Sequence, residues 1–379
     1  MRHYKDEVLK ANPFRNYDAL FKYMHNKKEA LILDEFPYLV ESTPGLPSIL
    51  QEHWDKNFNK TNTKIILCGS SITMMESLAG YKSPLYGRRT HQMLLEPLKF
   101  KDTCKFFENK NKEEKIIIYS ILGGTPAYLL EFDQNQTIPE NIKNKILKKN
   151  TFLGQDVMFV LQEELKEPRI YYSIVKSIAK GNSKLGNIIN DTGIDKASIT
   201  KYLSVLSNLQ ILERTTPLTE NPLKSRKGLY QLKDNYFKFW FRFVFENNKY
   251  IEQNMEKQLL KNEILPNLNI YVSTCFEEIA KELIKEKYPE HLIGKWWSNE
   301  QEIDIMGINE AKKETLFGEV KWKTLTKQEA EKTMKELKNK AEKIDTNNKE
   351  KQHIIIAKKI TEKPNNTKTE KYYDLNDFE

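Results

Sequence analysis

The sequence predicts an α/β protein built from several domains, and three observations support this fold class. Two short apolar runs, at residues 29–34 and 64–69, lie on either side of a helical pattern near residues 47–59. Fully apolar strands separated by a helix favour a parallel sheet that helices cover on both faces. Further apolar strands follow a helical pattern at residues 271–287, and 379 residues suffice for two or three hydrophobic cores.

Composition and charge narrow the class of protein further. The chain carries a formal net charge of +8 with a pI of about 8.9, a mildly basic balance that is compatible with nucleic acid. Cys68, Cys104 and Cys275 form no C-x-x-C pair, which argues against a disulfide framework or a structural zinc site. The longest apolar run contains Lys238 and Arg242 and is too short to span a bilayer. With no recognisable leader, we expect a cytoplasmic protein without a membrane partner.

The middle of the chain has the element order of a winged helix-turn-helix. From about residue 166, three helical patterns precede two strands that surround a polar loop at residues 219–227. Asp195 is placed to cap the third helix with its side-chain oxygen. We also expect helical structure over residues 92–130, and a loosely ordered polar end after the strand HIIIA near the C-terminus.

Acidic and polar side chains follow the two apolar strands of the N-terminal region. Asp34 and Glu35 end the first strand, in LILDEFPYL, and Ser70 follows the second. At such strand tips an aspartate can hold Mg²⁺ through a water, a glutamate can polarise the attacking water, and a serine can sense a γ-phosphate. Arg88 and Arg89 follow in a chain that rarely uses arginine, the residue best suited to stabilising charge on phosphoryl oxygens.

These segments resemble the successive motifs of the archaeal ATPase family related to the AAA+ and STAND classes. The resemblance rests on LILDEFPYL, IILCGSSITMMES, SPLYGRRT with LEPL, and GGTPAYL. It implies that Asp34 and Glu35 are the Walker B pair, that Ser70 or Ser71 is the sensor, and that Arg88 is an arginine finger or sensor. It also implies that Pro126 belongs to a G-x-P motif near the nucleotide, that the cofactor is ATP–Mg²⁺, and that the protein is a homo-oligomer.

The phosphate-binding motif of such ATPases is missing from the sequence. No G-x-x-x-x-G-K-[ST] occurs in the chain, although the amides and the lysine of that loop provide most of the grip on phosphate. We therefore expect weak or no nucleotide binding, and no ATPase activity, by this chain alone. A longer form of the chain or a separate P-loop-bearing polypeptide would have to bring the phosphates.

One face of the third helix and the following loop offer a candidate DNA-binding surface. In a DNA-binding winged helix that face enters the major groove and the wing touches backbone phosphate. The alternative is a protein–protein surface on the same fold. The residues concerned are Lys196, Thr200, Lys201 and Ser204 on the helix, and Lys224, Arg226 and Lys227 on the wing.

Acidic residues on consecutive C-terminal strands predict a metal site. Glu319 and Lys321 are two apart on one strand and share a face, and an antiparallel neighbour can place Asp304 beside them. Glu277, on the preceding helix, can add a third carboxylate. Two carboxylates with the Val320 carbonyl would form an all-oxygen site for Mg²⁺ or Mn²⁺, which suits phosphodiester hydrolysis.

The same segment resembles the PD-(D/E)XK nuclease-like domain that ends many members of the archaeal ATPase family. The resemblance, in KWW, EIDI and GEVKWK, implies that Asp304 and Glu319 are metal ligands, that Lys321 positions the attacking water, and that Glu277 is the carboxylate of the helix. The expected domains are a partial P-loop ATPase core at 1–130, a helical connector at 131–165, a winged helix at 166–232, a helical linker at 233–265 and the nuclease-like domain at 266–379.

Three functions remain open from the sequence. The first is a metal-dependent nuclease, originally coupled to ATP-driven conformational change. The second is a DNA- or protein-binding module without turnover, because nuclease-like folds can persist as binding modules. The third is a remnant of a longer ATP-binding protein.

Overall fold

The computed structural model describes residues 14–25, 27–165, 167–346 and 350–378. The chain forms two compact units. Unit one comprises Met1–Leu95 with Gln162–Lys166, and unit two comprises Glu96–Leu161 with Glu167–Glu379. The division at Leu95 falls inside the segment expected to form the ATPase-like core. No helix in the described ranges combines the length and the apolarity needed to cross a bilayer.

Unit one is built around a pair of parallel strands. Its elements are α1 (Tyr17–Met24), β1 (Ala30–Leu33), α2 (Phe36–Ser42), α3 (Leu46–Lys56), β2 (Lys64–Leu67) and α4 (Ile72–Ala79). Strands β1 and β2 pair in parallel, which confirms the predicted arrangement. Leu33 and Leu67 pack with Phe21, Phe36 and Phe58 of the surrounding segments to form the core of this unit.

Unit two begins with helices that surround an aromatic core. They are α5 (Phe100–Thr103), α6 (Lys112–Leu122), α7 (Pro126–Glu131), α8 (Ile138–Asn141) and α9 (Phe152–Glu164), whose last turn belongs to unit one. Farther along lie α13 (Asn235–Phe239), α14 (Asn248–Glu252) and α15 (Glu256–Leu259). Wider π-helical turns occupy Ile142–Leu147, Trp240–Val244 and Leu260–Ile264. Phe239, Trp240, Phe241 and Phe243 are buried, so this aromatic run is core, as its density predicts.

Three helices and a strand pair follow one another between residues 168 and 232, in the element order expected from the sequence. The elements are α10 (Pro168–Ala179), α11 (Leu185–Thr192), α12 (Lys196–Asn208), β3 (Leu212–Thr215) and β4 (Leu229–Leu232). Strands β3 and β4 are antiparallel, and Lys184 adds an antiparallel bridge to Leu229. The Asp195 side chain accepts the amides of Ala197 and Ser198, so the predicted cap of α12 is confirmed.

A mixed sheet of five strands ends the chain. The elements are α16 (Leu265–Lys287), β5 (Leu292–Trp297), β6 (Glu302–Asn309), β7 (Glu314–Leu325), α17 (Lys327–Glu342), β8 (Glu350–Ile360) and β9 (Glu370–Tyr373). The strands lie in sequence order: β6 is antiparallel to both β5 and β7, and β7, β8 and β9 are parallel. Helix α16 lies against β5, β6 and β7, and α17 lies against β7 and β8.

Two expectations about secondary structure are wrong. Residues 91–99 form neither helix nor strand, although helical structure was expected over 92–130. Leu98 instead donates its amide to the carbonyl of Gly124. The segment is thus a connection without regular secondary structure, held by a contact with a residue far along the chain. The polar C-terminal end is not loose, because β9 extends the sheet beside β8 and Tyr372 is buried in the core below it.

Candidate metal centre

Three carboxylates meet where α16 crosses the start of β6. In the described part of the chain, one oxygen each of Glu277, Glu302 and Asp304 lies within 4.8 Å of the other two. Glu277 is on α16, and Glu302 and Asp304 are on β6. An oxygen-only set of this spacing fits the ligand preference of Mg²⁺ or Mn²⁺.

The local structure of β6 explains how two of these groups meet. Glu302 and Asp304 are two residues apart on a strand and therefore share a face. The register between β5 and β6 shifts here: Trp296 pairs with Ile303 and Gly294 pairs with Met306, so Lys295 faces two residues of β6. Such a bulge bends the strand and redirects a side chain, and it is common beside active sites.

Asp304 is half-buried and accepts a main-chain hydrogen bond from the neighbouring strand. Its Oδ2 accepts the amide of Val320 at 2.8 Å, which ties β6 to β7 just beyond their last paired residues. Burial, followed by the charges of Glu319 and Glu277, raises the pKa of Asp304 to about 7. A carboxyl with this pKa exchanges a proton near neutral pH, and a divalent cation would favour its ionised form.

Glu319 lies beside this group and is neutralised by two lysines. Its Oε1 accepts from Lys321 Nζ at 2.7 Å, and its Oε2 accepts from Lys340 Nζ at 3.0 Å. The antiparallel pairing of β6 with β7 is confirmed, and it places Glu319 next to Asp304 as predicted. The sequence assigned Glu319 as a metal ligand, whereas the oxygens gathered within 4.8 Å belong to Glu277, Glu302 and Asp304.

Lys321 remains a charged donor in this setting. Burial alone would lower the pKa of Lys321, but its hydrogen bond and ion pair with Glu319 outweigh burial and raise it. The ammonium therefore stays protonated at neutral pH. It can orient a water or a phosphate oxygen, and it cannot act as a proton acceptor in that state.

Lys295 of β5 contacts two of the three gathered carboxylates. Its Nζ lies 3.0 Å from Oε2 of Glu277 and also forms an ion pair with Glu302. Burial would lower the pKa of Lys295, but the charges of Glu277 and Glu302 prevail and raise it. The ammonium therefore keeps its positive charge at neutral pH, beside the carboxylates of Glu277 and Glu302.

The loop between β3 and β4 is anchored on the strand that carries Lys295. We call residues 216–228 the wing loop. Leu218 donates its amide to the Lys295 carbonyl at 2.9 Å. The indole of Trp296 donates to Thr219 Oγ1 at 3.1 Å, and the indole of Trp297 donates to the Lys227 carbonyl at 3.2 Å. These bonds hold the wing loop against the edge strand of the sheet.

The expected DNA-binding residues lie on the surface of α12 and the wing loop. Lys196, Thr200, Lys201 and Ser204 are exposed on α12, and Lys224, Arg226 and Lys227 are exposed on the wing loop. Thr200 donates its hydroxyl to the Lys196 carbonyl within the helix. Lys227 is ion-paired with Glu220 at 2.6 Å. Arg214 donates to two carbonyls of the loop and fixes its shape.

The residues expected near a nucleotide are divided between the two units. In unit one, Ser70 donates its hydroxyl to Glu35 Oε2 at 3.1 Å, and the exposed Asp34 accepts the amide of Glu35. Glu35 has φ 46°, a left-handed conformation that non-glycine residues adopt mainly at functional or strained positions. Arg88 donates to both oxygens of Asp55, each at 2.8 Å.

Pro126 lies in unit two, where it begins helix α7 and is exposed. Gly124, two residues earlier, is in close backbone contact with Leu98, because a Cβ at this position would lie 1.8 Å from the Leu98 oxygen. The Gly-Thr-Pro sequence therefore has a structural role in joining the extended segment to α7.

Sequence reasoning missed Glu302, Lys295 and Lys340. Glu302 had a usable signal, since it is two residues before Asp304 on a predicted strand and so shares its face. Lys295 reaches the site through the pairing of β5 with β6, and Lys340 reaches it from the far end of α17. Neither position follows from spacing along the chain.

Comparison with known proteins places the chain in a family. It is 36% identical to the uncharacterized protein MJECL04 of Methanocaldococcus jannaschii over 393 aligned positions, which cover the whole chain and 87% of that protein. Residues 2–132 match a family model described as an ATPase domain predominantly from Archaea. The chain belongs to this archaeal ATPase-domain family.

A second family model matches residues 240–333 of this chain. The family is described as archaeal and bacterial proteins of unknown function. That range contains Glu277, Glu302, Asp304, Glu319 and Lys321. A further protein of M. jannaschii, the uncharacterized MJ0424, is 38% identical over 66 residues, 15% of this chain and 64% of that protein.

Two solved structures are similar at low TM-scores. The Walker-type ATPase paby2304 of Pyrococcus abyssi has a TM-score of 0.47 and 18% identity, over 63% of this chain and 72% of that chain. The ORC2 protein of Aeropyrum pernix has a TM-score of 0.34 and 13% identity, over 65% and 69%. At these TM-scores and sequence identities, neither similarity supports an argument about the function of this chain.

Proposed function

We propose that unit two is a DNA-binding nuclease module: a winged helix followed by a PD-(D/E)XK-like domain with a Mg²⁺- or Mn²⁺-dependent site. The observation that carries this proposal is the gathering of Glu277, Glu302 and Asp304 within 4.8 Å beside the Glu319–Lys321 pair. Metal-dependent phosphodiester hydrolysis uses a cation held by oxygen ligands and a group that orients water, and this arrangement offers residues for both.

Each residue of the proposed site would have a separate role. Glu277, Glu302 and Asp304 would hold the cation, which when bound supplies charge stabilisation at the scissile phosphate. Lys321 would orient the attacking water, and its raised pKa assigns it the role of a donor rather than a base. Glu319 would position Lys321 through their 2.7 Å ion pair. Lys340 would balance the charge of Glu319 from α17.

The module with helices α10–α12 supports the DNA-binding part of the proposal. Exposed Lys196 and Lys201 lie on α12, and exposed Lys224 and Arg226 lie on the wing loop. In a winged helix these positions face the major groove and the phosphate backbone. The wing loop is bonded to β5, so DNA held on it would lie on the same unit as the carboxylates.

Cleavage by the purified chain tests the nuclease proposal. Supercoiled, linear and branched DNA are incubated with the protein in Mg²⁺ or Mn²⁺, beside Lys321→Ala and the matched control Lys323→Ala. Lys323 is two residues along on the same strand, is largely exposed and pairs with Glu329. We expect metal-dependent cleavage by the wild type and by Lys323→Ala, and a loss of about 100-fold or more in Lys321→Ala.

The proposal fails if Lys321→Ala cuts as fast as the wild type, because the cleavage then comes from elsewhere. It also fails if folded wild-type protein cuts none of the substrates in either metal. In that second case, the same samples are examined for DNA retention in a gel-shift assay at two salt concentrations. Salt-dependent retention without cleavage would establish a binding module.

A binding module without turnover is the second candidate, and one observation favours it. Lys295 pairs with Glu277 and Glu302 of the cluster, and Lys321 and Lys340 pair with the neighbouring Glu319. Such an ion-pair network can serve a fold without holding a metal. The cleavage assay separates this candidate from the nuclease.

For unit one, we propose that Asp34, Glu35 and Ser70 are the nucleotide-facing groups of the ATPase domain. The hydrogen bond between Ser70 and Glu35, at the tips of two parallel strands, supports this assignment. In a complete site, Asp34 would hold Mg²⁺ through water and Glu35 would polarise the attacking water.

A further inference from the structure

Lys295 contacts two of the three carboxylates that would hold a cation at the cluster. Its Nζ is 3.0 Å from Glu277 Oε2 and is ion-paired with Glu302, and these are two of the three gathered acids. The side chain of Lys295 is only 27% exposed. One ammonium therefore already pairs with two of the three carboxylates that a divalent cation would need.

The main chain around Lys295 is fixed, whereas its side chain can move. The carbonyl of Lys295 accepts the Leu218 amide at 2.9 Å, and the indole of Trp296 bonds to Thr219. Gly294 packs closely on Leu218, since a Cβ at Gly294 would lie 2.8 Å from Leu218 Cδ1. The backbone thus directs the side chain into the cluster, but four rotatable methylenes allow the ammonium to leave.

Charge balance makes an ammonium and a divalent cation alternatives at this position. The ammonium pairs with Glu277 and Glu302, and a cation bound by the same oxygens would lie within a few ångströms of it. Two like charges at that separation repel strongly in a partly buried site. Lys321 and Lys340 do not take part in this competition, because both are engaged by Glu319.

We propose that Lys295 is a built-in competitor for the metal: its ammonium holds Glu277 and Glu302 in the metal-free state, and a divalent cation binds only by displacing it. This inference rests on the proposed metal site and adds a regulation to it. Lys295 is a positioning residue that sets the affinity for the cation, and the site stays folded and closed at low metal concentration.

Calorimetric titration with Mn²⁺ tests the competition without any substrate. The samples are the full chain, Lys295→Met, Lys295→Arg and the control Lys281→Met, whose lysine pairs with Glu278 on the same helix as Glu277. We expect Lys295→Met to bind Mn²⁺ at least about tenfold more tightly than the wild type, a typical size for groups around metal ligands. Lys295→Arg, which keeps the charge, and Lys281→Met should bind like the wild type.

Thermal melting provides a second readout on the same variants. Without metal, Lys295→Met should melt below the wild type, because Glu277 and Glu302 then repel each other. Mn²⁺ should restore more of its melting temperature than it adds to the wild type. If Lys295→Met does not fold, Lys295→Gln replaces it, since a neutral amide can still donate to the carboxylates.

The possible results separate the two proposals. Wild-type binding of one Mn²⁺ with equal or weaker binding by Lys295→Met overturns the competition and leaves the metal site in place. Absence of binding in both folded proteins overturns the metal site and the competition together. A tenfold gain that disappears in Lys295→Met/Asp304→Asn supports both.

Discussion

At the residue scale, burial changes the acid–base chemistry of Asp234. This side chain caps α13 and accepts the amide of Phe237 at 3.0 Å. Burial raises its pKa from 3.8 to about 6, against the opposing effect of that amide. The folded state therefore binds a proton more tightly than the unfolded state does.

The pKa of Asp234 predicts a stability that depends on pH. Because the folded value exceeds the unfolded one, the stabilisation is complete below pH 3.8 and is lost as pH rises through about 6. Asp234→Asn keeps a capping oxygen and has no proton to lose. The free energy of unfolding of the variant relative to the wild type should therefore increase from pH 4.5 to pH 8, by up to ~2 kcal/mol, measured by urea denaturation.

Asp195→Asn is the matched control for this measurement. Asp195 also caps a helix, but it is exposed and its hydrogen bonds with Ser198 lower its pKa. Its carboxyl therefore stays ionised over this range, so the difference between this variant and the wild type should stay constant from pH 5 to pH 8. A constant difference for Asp234→Asn would show that its carboxyl is not perturbed.

Alternation along strands was enough to predict part of the candidate site. Glu319 and Lys321 share a face and are bonded, and Asp304 lies beside them on the antiparallel neighbour. The same rule would have found Glu302. Lys295 depends on the register between β5 and β6, and Lys340 depends on where α17 packs, so both are properties of packing rather than of spacing.

At the scale of elements, the junction between residues 91–99 and α7 depends on a glycine. Leu98 donates its amide to the Gly124 carbonyl at 2.9 Å, and the Leu98 oxygen lies where a Cβ of residue 124 would be. Gly124→Ala should therefore destabilise unit two by about 3 kcal/mol or more, because backbone must move rather than a flexible side chain. Urea denaturation followed by intrinsic fluorescence measures this loss.

Gly186→Ala is the corresponding control within the same unit. Gly186 lies inside α11, and nothing lies within 4 Å of a Cβ built there. The substitution should stabilise the protein by ~0.5–1 kcal/mol through helix propensity. Equal effects of the two substitutions would contradict the close contact at Gly124.

Most elements were predictable because their patterns are local. The strand pair of unit one, the three helices before β3 and the antiparallel β5–β7 strands follow from apolar periodicity and turn residues. The parallel pairing of β8 with β7 depends on the crossover through α17. The parallel pairing of β9 with β8 depends on the loop that connects these two strands. The extended course of residues 91–99 depends on Gly124, a contact made 26 residues away from Leu98.

At the scale of the whole molecule, the sequence carries Walker-B-like acids without a phosphate-binding loop. Asp34, Glu35 and Ser70 are together, but no G-x-x-x-x-G-K-[ST] occurs in the chain, and Arg88 is held by Asp55. We therefore expect ATP–Mg²⁺ at millimolar concentration to raise the melting temperature of this chain by less than ~1 °C. Differential scanning fluorimetry checks this expectation.

Glu35→Gln provides the comparison for the nucleotide measurement. If ATP–Mg²⁺ stabilises the wild type by several degrees, the phosphates are held by groups other than a P-loop. A reduced shift in Glu35→Gln would then connect the binding to the strand tips. The same shift in both proteins would place the nucleotide elsewhere in the chain.

The division of the chain into two compact units was not evident from the sequence. Within the expected first domain, residues 1–130, the chain passes from unit one to unit two at Leu95, and unit one also takes up residues 162–166. Glu163 and Glu164 belong to unit one through bonds to Tyr38, Ile72 and Thr73. Such long-range bonds leave no periodic trace in the sequence.

The amide of Val320 gives the carboxylate cluster a spectroscopic reporter. Its proton bonds to Asp304 Oδ2 at 2.8 Å, inside the sheet and away from bulk water. A cation that draws electron density from this carboxylate weakens the acceptor, so the ¹⁵N–¹H resonance of Val320 should shift as the site fills. Occupancy of the cluster could thus be followed in solution at a single backbone position, with neither nucleic acid nor nucleotide present.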